Sequence, residues 1–269
     1  MSKNKKNIFL SRHLLAKRLV AALAQATIIL SHPTLAQNNQ SSPLSIEASV
    51  SLEWNQAKDM YIAIGDALVE QDDKSLKADK IIAHYDSSSK DRDLTDISAT
   101  GSVVFVDGEN VARGTKLNYR IGDEAYDLFG PNAIVTSPRG IMTAAGSIAY
   151  STSKADEKQV IAIGAASYKD NNGRVIEGTK VVAFLDVDGT IKTISANGNA
   201  KVVTPKGIIT TADRLNYVSA TDRADLFGNV EVINNENIMR GARAEVEFDK
   251  EISRLLSDNT GKRVTGVLQ

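Results

Sequence analysis

"ISANGNAKVV" (residues 194–203) alternates with a period of two. Ile194, Ala196, Gly198, Ala200 and Val202 are small or apolar, and the residues between them include Asn197, Asn199 and Lys201. Successive side chains of a strand point to opposite faces, so the stretch reads as a β-strand with one buried face and one wet face. "TPKG" (204–207) follows at once and supplies the Pro and Gly that tight turns use. "RADLFGNVEVI" (223–233) repeats the pattern through Leu226, Gly228, Val230 and Val232, and "NNEN" (234–237) closes it.

Working outward, the same approach to a glycine recurs in "IAIGDALVE" (62–70), "ISATGSVVFVD" (97–107), "AYDLFGPNAIV" (125–135) and "VIAIGAASY" (160–168). The glycines are Gly65, Gly101, Gly130, Gly164, Gly198 and Gly228, at intervals of 36, 29, 34, 34 and 30. An aromatic follows each by 18 to 20 residues: Tyr85, Tyr119, Tyr150, Phe184, Tyr217 and Phe248. A period in this range also suits helical repeats. The alternation inside the units decides for strands, and "VDGEN" (106–110), "SPRG" (137–140) and "DNNG" (170–173) supply further turns. The sequence predicts about six strand–turn–strand repeats in an all-β, antiparallel fold, with short helices near 68–80 and 249–257.

Alternation assigns faces. Counting from the glycines places Ala99, Val103 and Phe105 together, then Ala196, Ala200 and Val202, then Leu226, Val230 and Val232. Counting back from the aromatics adds Leu117 and Tyr119, Ile148 and Tyr150, and Val182 and Phe184. Leu215 and Tyr217, with Val246 and Phe248, complete that set. Stacked repeats align such residues into continuous apolar stripes. Two readings of the stripes stand: a filled core, or the lining of an apolar groove. An aromatic content of only 5% and many small residues on this face leave room for the groove.

"FLDVDGTIK" (184–192) carries Asp-x-Asp-Gly-Thr, which resembles the nucleophile motif of haloacid-dehalogenase phosphatases. That chemistry needs a parallel sheet wrapped by helices, and the residues after it read as antiparallel strands. A motif counts only in its structural context. Here it falls between two alternating runs, where Asp-Gly is a hairpin turn. No catalytic residue, metal site or cofactor is expected, and a lone His84 outside the N-terminal segment cannot build a Ser/His/Asp triad.

The first 36 residues contain Lys3, Lys5, Lys6, Arg12, Lys17 and Arg18 and no acidic residue. "LVAALAQATIIL" (19–30) and a small-residue end at Ala36 follow, the layout of a secretory signal peptide. A stretch of twelve residues is short for a membrane span. Cleavage would remove six of the 32 basic residues and none of the 33 acidic ones, leaving a formal charge of −7. That excludes a nucleic-acid footprint. The absence of Cys excludes a disulfide framework and a thiolate zinc site. The expected layout is a signal peptide over 1–36, a linker over 37–45, the β domain over 46–257 and a tail over 258–269.

"IEASVSLEWNQAKDMYIAIGDALVE" (46–70), "LKADKIIAHY" (76–85), "ADLFGNVEVINNENIMRGARAEVEFDKEISRLL" (224–256) and "GKRVTGVL" (261–268) together resemble the OstA-like periplasmic lipopolysaccharide-transport proteins, the LptA-like family. LptC and the LptD N-terminal domain are relatives. The resemblance implies a half-open antiparallel β-jelly roll, or β-taco, whose apolar interior shields lipid A acyl chains. It implies a periplasmic bridge without enzymatic activity, stacked head to tail as a homo-oligomer between an LptC-like inner-membrane protein and an LptD-like outer-membrane translocon. The strands left open for stacking are expected near 46–64 and 238–248. One departure is Ala48-Ser49, where the family has Ala-Asp before "LEW". Two alternatives remain: a membrane-anchored, LptC-like component, and a packed structural β-repeat at the cell surface that takes no lipid.

Overall fold

The computed structural model describes residues 43–90, 92–152, 157–257 and 263–267. The expected signal peptide, the linker through residue 42, and residues 258–262 and 268–269 of the tail lie outside the described residues. The chain opens with β1 (Ser45–Glu47), β2 (Ser51–Asn55), β3 (Met60–Gln71), β4 (Lys74–Tyr85), β5 (Leu94–Asp107) and β6 (Asn110–Arg120). Four short strands follow: β7 (Ala125–Phe129), β8 (Ala133–Ser137), β9 (Gly140–Ala144) and β10 (Ser147–Thr152). Long strands then resume with β11 (Lys158–Asp170), β12 (Val175–Leu185), β13 (Ile191–Val203), β14 (Ile209–Val218), β15 (Arg223–Asn234) and β16 (Asn237–Glu247). β17 (Ile252–Leu256) and β18 (Thr265–Val267) end it.

All pairings are antiparallel and form one meander. β1 and β2 lie end to end along β3, and β7 and β8 along β6. β9 and β10 lie between those two and β11, while β17 and β18 lie along β16. The outermost strands are therefore β1 and β2 at one end and β17 and β18 at the other. This corrects the expected C-terminal edge: 238–248 belongs to β16, which is covered by β17 and β18.

Each long strand turns a corner at its middle. On β5, Gly101 and Ser102 both adopt left-handed backbone, φ 78° and 43°. The register jumps there, Thr100 pairing with Lys116 and Val103 with Gly114, so β5 carries one extra residue. Such a bulge bends the strand and increases its twist. A Cβ on Gly101 would fall on the Asp79 carboxylate, so sequence and space both require glycine. The same left-handed pair recurs after Ile64, Ile163, Asn197 and Phe227. Between β7 and β8 the corner uses a cis Gly130-Pro131 bond, with Asn132 left-handed. The repeat glycines are thus one crease across the sheet. At the Ala48-Ser49 departure, the Ser49 N–H donates to the Gly65 carbonyl at 2.7 Å, and the Ser49 and Val50 side chains lie against Gly65.

Folding along the crease brings the two halves of every strand face to face, giving a half-open antiparallel roll. Phe105, beyond the corner of β5, reaches Tyr119 and Tyr126 in the opposite layer, with ring centroids 5.5 and 5.9 Å apart. Along the crease Leu117, Leu128, Ile148, Val181, Leu215 and Leu226 are fully buried. The two expected helices are absent. Residues 68–80 form a hairpin in which Gln71 pairs with Lys74 around a left-handed Asp72, because Val69 and Leu76 bury together on one face of the sheet. Residues 249–257 are a turn with left-handed Glu251, followed by β17, which completes the ladder of β16.

Candidate functional site

The open side of the roll is a mouth between two rows of turns. One row joins β2 to β3, β4 to β5, β6 to β7, β12 to β13, β14 to β15 and β16 to β17. The other joins β3 to β4, β5 to β6, β8 to β9, β11 to β12, β13 to β14 and β15 to β16. Two cavities, about 400 and 850 Å³, lie under this mouth and share Lys74, Phe105, Tyr119 and Glu124. They therefore run into one another along the N-terminal part of the roll, and each falls within the size range of pockets that bury small ligands.

Their walls carry a continuous aromatic run. Tyr126 stacks on Tyr150 at 5.4 Å and meets Phe105, which meets Tyr119. Trp54, Tyr61 and Tyr85 extend aromatic contacts at the N-terminal end, where Trp54 Nε1 donates to Tyr85 Oη at 3.0 Å. Tyr168 closes the other end of the smaller cavity and donates to the Arg139 carbonyl at 2.8 Å. Burial, above all, raises the Tyr126 phenol and pushes Tyr168 up to about 12. Both phenols stay neutral at physiological pH, while Lys74, Asp107, Glu124, Arg139, Lys158 and Asp188 bring charge to the lining. The arrangement can hold an apolar ligand by burial; among the described residues no group of three or more His, Asp or Glu is placed to hold a metal.

The residues assigned to one face from sequence divide into four groups. Phe105, Tyr119 and Tyr150 border the connected cavities. Ala99, Val103, Leu117, Ile148, Ala196, Ala200, Val202, Leu215, Leu226, Val230 and Val232 face inward but lie buried along or beside the crease, away from the cavities. Tyr217, Val246 and Phe248 are inward at the C-terminal end, where the two rings pack against Arg174. Val182 and Phe184 are a correction: they lie on the outer face, Val182 buried there and Phe184 37% exposed. On β12 the inward residues step from Ile176 and Gly178 to Val181, Ala183 and Leu185, because the register shifts between Glu177 and Lys180. Phe184 therefore takes the outward slot between inward Ala183 and Leu185, and the spacing of 20 residues from Gly164 does not by itself fix its face.

Tyr126 and Tyr168 were missed by the sequence reading. Both were findable by counting in twos from buried neighbours, Tyr126 from Leu128 and Tyr168 from Ala166. Neither lies 18 to 20 residues after a repeat glycine.

"FLDVDGTIK" is a turn at the mouth. Gly189 N–H donates to the Asp186 carbonyl and Asp186 N–H to the Thr190 carbonyl, each at 2.8 Å. Asp188 accepts the Thr190 N–H at 2.9 Å and its hydroxyl at 3.0 Å, which hold its carboxyl below the usual range. Asp186 is left facing solvent with Lys192 3.7 Å away. Exposed ion pairs at this separation contribute between zero and about 1 kcal/mol. Asp186→Asn is therefore expected to move thermal stability by less than about 0.5 kcal/mol and to leave cell growth unchanged. A phosphomonoesterase activity of the purified protein that disappears in Asp186→Asn would overturn this account.

The family described as LptA/(LptD N-terminal domain) LPS transport protein matches residues 45–156 and 170–252. No curated protein matches the chain. Among solved structures it is similar to LptH, described as the LptA homologous periplasmic component of the conserved lipopolysaccharide transport device from Pseudomonas aeruginosa. The two share 10% identity over 84% of this chain and 95% of that one, with a TM-score of 0.20. With the matched segments spanning the meander from β1 to the start of β17, the chain belongs to the LptA/(LptD N-terminal domain) family of LPS transport proteins.

Proposed function

We propose that this protein is a periplasmic lipopolysaccharide-binding bridge that shields lipid A acyl chains from water. The observation that carries the reading is the pair of connected cavities walled by Phe105, Tyr119, Tyr126 and Tyr150. Each acyl methylene moved from water into such a site gains about 0.8 kcal/mol. No charge contact is needed, which suits an acidic protein carrying an anionic lipid. The protein performs no chemistry; it receives the lipid from an inner-membrane transporter and passes it to an outer-membrane translocon.

The ends of the sheet support the same reading. Outer strands offer unpaired backbone groups that template strand addition. Leu52 and Trp54 on β2, and Ile252 and Val267 on β17 and β18, are exposed apolar side chains at those ends. Head-to-tail self-association, an LptC-like partner at one end and an LptD-like partner at the other would cover them.

A photo-crosslinking amino acid tests the ligand. Placed at Tyr119 or Tyr150, it is expected to capture lipopolysaccharide in cells. Placed at outward Phe184, Lys201 or Glu231, it is expected to capture none, because neighbours in a strand point to opposite faces. Capture on both faces alike, or nowhere, would remove the lipid and leave a packed β-repeat.

A further inference from the structure

We infer that Arg174 is a plug that sets the length of the apolar groove, occupying at the C-terminal end the space an acyl chain would take between Tyr217 and Phe248. This rests on the proposed lipid-binding reading of the groove and adds where the ligand must stop.

The mouth is crossed by three contacts at nearly constant sequence separation. Arg139 Nη2 donates to the Asp188 carbonyl at 2.7 Å, 49 residues away. Arg174 Nη1 reaches Asp222 Oδ1 at 2.5 Å, 48 residues away. Lys206 Nζ reaches Glu251 Oε2 at 2.6 Å, 45 residues away. Each joins a turn on one lip to a turn on the other, one repeat further along. Lys74 and Glu124 occupy the corresponding turns in the N-terminal half, and both line the shared part of the cavities. There the clasp is not made: Lys74 bonds Asp107 of the next hairpin on its own lip, at 3.4 Å. The mouth is therefore clasped from Arg139 onward and unclasped by this pair before it.

Arg174 differs from the other two clasps because it lies inside. Its side chain is 10% exposed, and its guanidinium sits 4.7 Å from the centroid of Tyr217 and 4.2 Å from that of Phe248. Asp170 holds Nε at 3.0 Å from one side while Asp222 holds Nη1 from the other. Guanidinium faces stack well on aromatic rings, and one hydrogen bond to each of two carboxylates fixes the group in place. Tyr217 and Phe248 are counterparts, in the repeat, of Tyr119 and Tyr150, whose rings border open cavity. Here both rings face a cation, and the space that Tyr217 still borders, about 390 Å³, is shared with Tyr168 and Arg139 and is lined by Arg174 itself. Past Arg174, the pocket bordered by Ile208 and Phe248 holds only about 120 Å³.

A single Arg174→Ala would leave the largely buried Asp170 carboxylate without its counter-ion beside the two rings and destabilise the region for reasons unrelated to the groove. The informative variant is Arg174→Met with Asp222→Asn. Methionine keeps most of the volume but is flexible and apolar, and asparagine tolerates the left-handed backbone of position 222. Asp170 retains the N–H groups of Asn172 and residue 174, at 2.9 and 2.8 Å.

The full chain and this double variant are compared with a photo-crosslinker at Tyr150 or at Ile208, after a thermal melt shows that both fold. In the native sequence, lipopolysaccharide is expected at Tyr150 and not at Ile208. In the double variant, capture at Ile208 is expected to rise to the level at Tyr150. In parallel, the purified proteins are titrated with N-phenyl-1-naphthylamine, an apolar fluorophore, and the double variant is expected to saturate at a higher stoichiometry. Native capture at Ile208 equal to that at Tyr150, or a folded double variant with unchanged stoichiometry, overturns the plug. No capture at Tyr150 in either protein overturns the lipid reading instead, and the fluorophore titration still decides Arg174.

Discussion

Val230→Asp is expected to leave no folded protein at 37 °C, whereas Tyr150→Asp should fold and lose its ligand. Val230 is 1% exposed, pairs with Gly241 beside the crease and belongs to the buried core. A carboxylate placed there meets no partner and no water. Burying even a neutral polar group without a hydrogen bond costs about 2–7 kcal/mol, and an ionised one costs more. The valine contacts are lost in addition, against a total stability of about 5–15 kcal/mol for an ordinary domain. Tyr150 instead borders a water-connected cavity, so an aspartate there can remain hydrated. Its removal forfeits the stack on Tyr126, about 0.5–1.5 kcal/mol beyond area. Circular dichroism melts of the two variants check the contrast. A Val230→Asp protein that melts within a few degrees of the native one would mean that the crease is open to water and the buried stripe is itself a groove.

The second large effect belongs to the corners. Gly101→Val is expected to cost about 3 kcal/mol or more, combining left-handed strain of about 1–3 kcal/mol for a non-glycine residue with a steric conflict. The new Cβ would lie on the Asp79 side chain, whose Cβ is itself only 2.8 Å from that point, so turning the carboxylate alone does not relieve it. Gly228 against Asp213 repeats the geometry four repeats further along, on β15. Gly173→Ala is the control: its φ of 88° is also left-handed, but nothing lies within 4 Å of the added carbon. The control should lose only the backbone term, about 1 kcal/mol. With about 2–4 °C of melting temperature per kcal/mol in a chain this size, the two variants separate clearly in a thermal scan. Equal melting temperatures would mean that the corner does not need the close approach of Asp79.

Much of this architecture was legible in the chain. Period-two alternation around Gly198 and Gly228 marks strands, and Asp-Gly, Pro-x-Gly and Asn-rich clusters mark the turns between them. Those are local properties: a strand's faces and a turn's left-handed residues are set by neighbours a few positions apart. On the glycine strands the inward face could even be followed across the corner. Ala99 and Val103 stay in phase because the extra bulge residue makes the step four, an even number. The returning strand crosses the same corner in three residues, as from Gly178 to Val181, and its parity reverses. An aromatic picked out by spacing alone, such as Phe184, can land on the wrong face, and here it did.

Alternation tells which way a side chain points but not how far away the opposite layer lies. That distance is fixed by contacts between residues many positions apart: Phe105 against Tyr119 and Tyr126 where the roll gapes, and Arg174 against Tyr217, Phe248 and Asp222 where it closes. Leu215 and Tyr119 therefore read alike in the sequence, as apolar residues on the inward face. Only the tertiary structure makes one a closed core position and the other a cavity wall, because packing depth depends on what two folded layers bring together and no single strand carries that information.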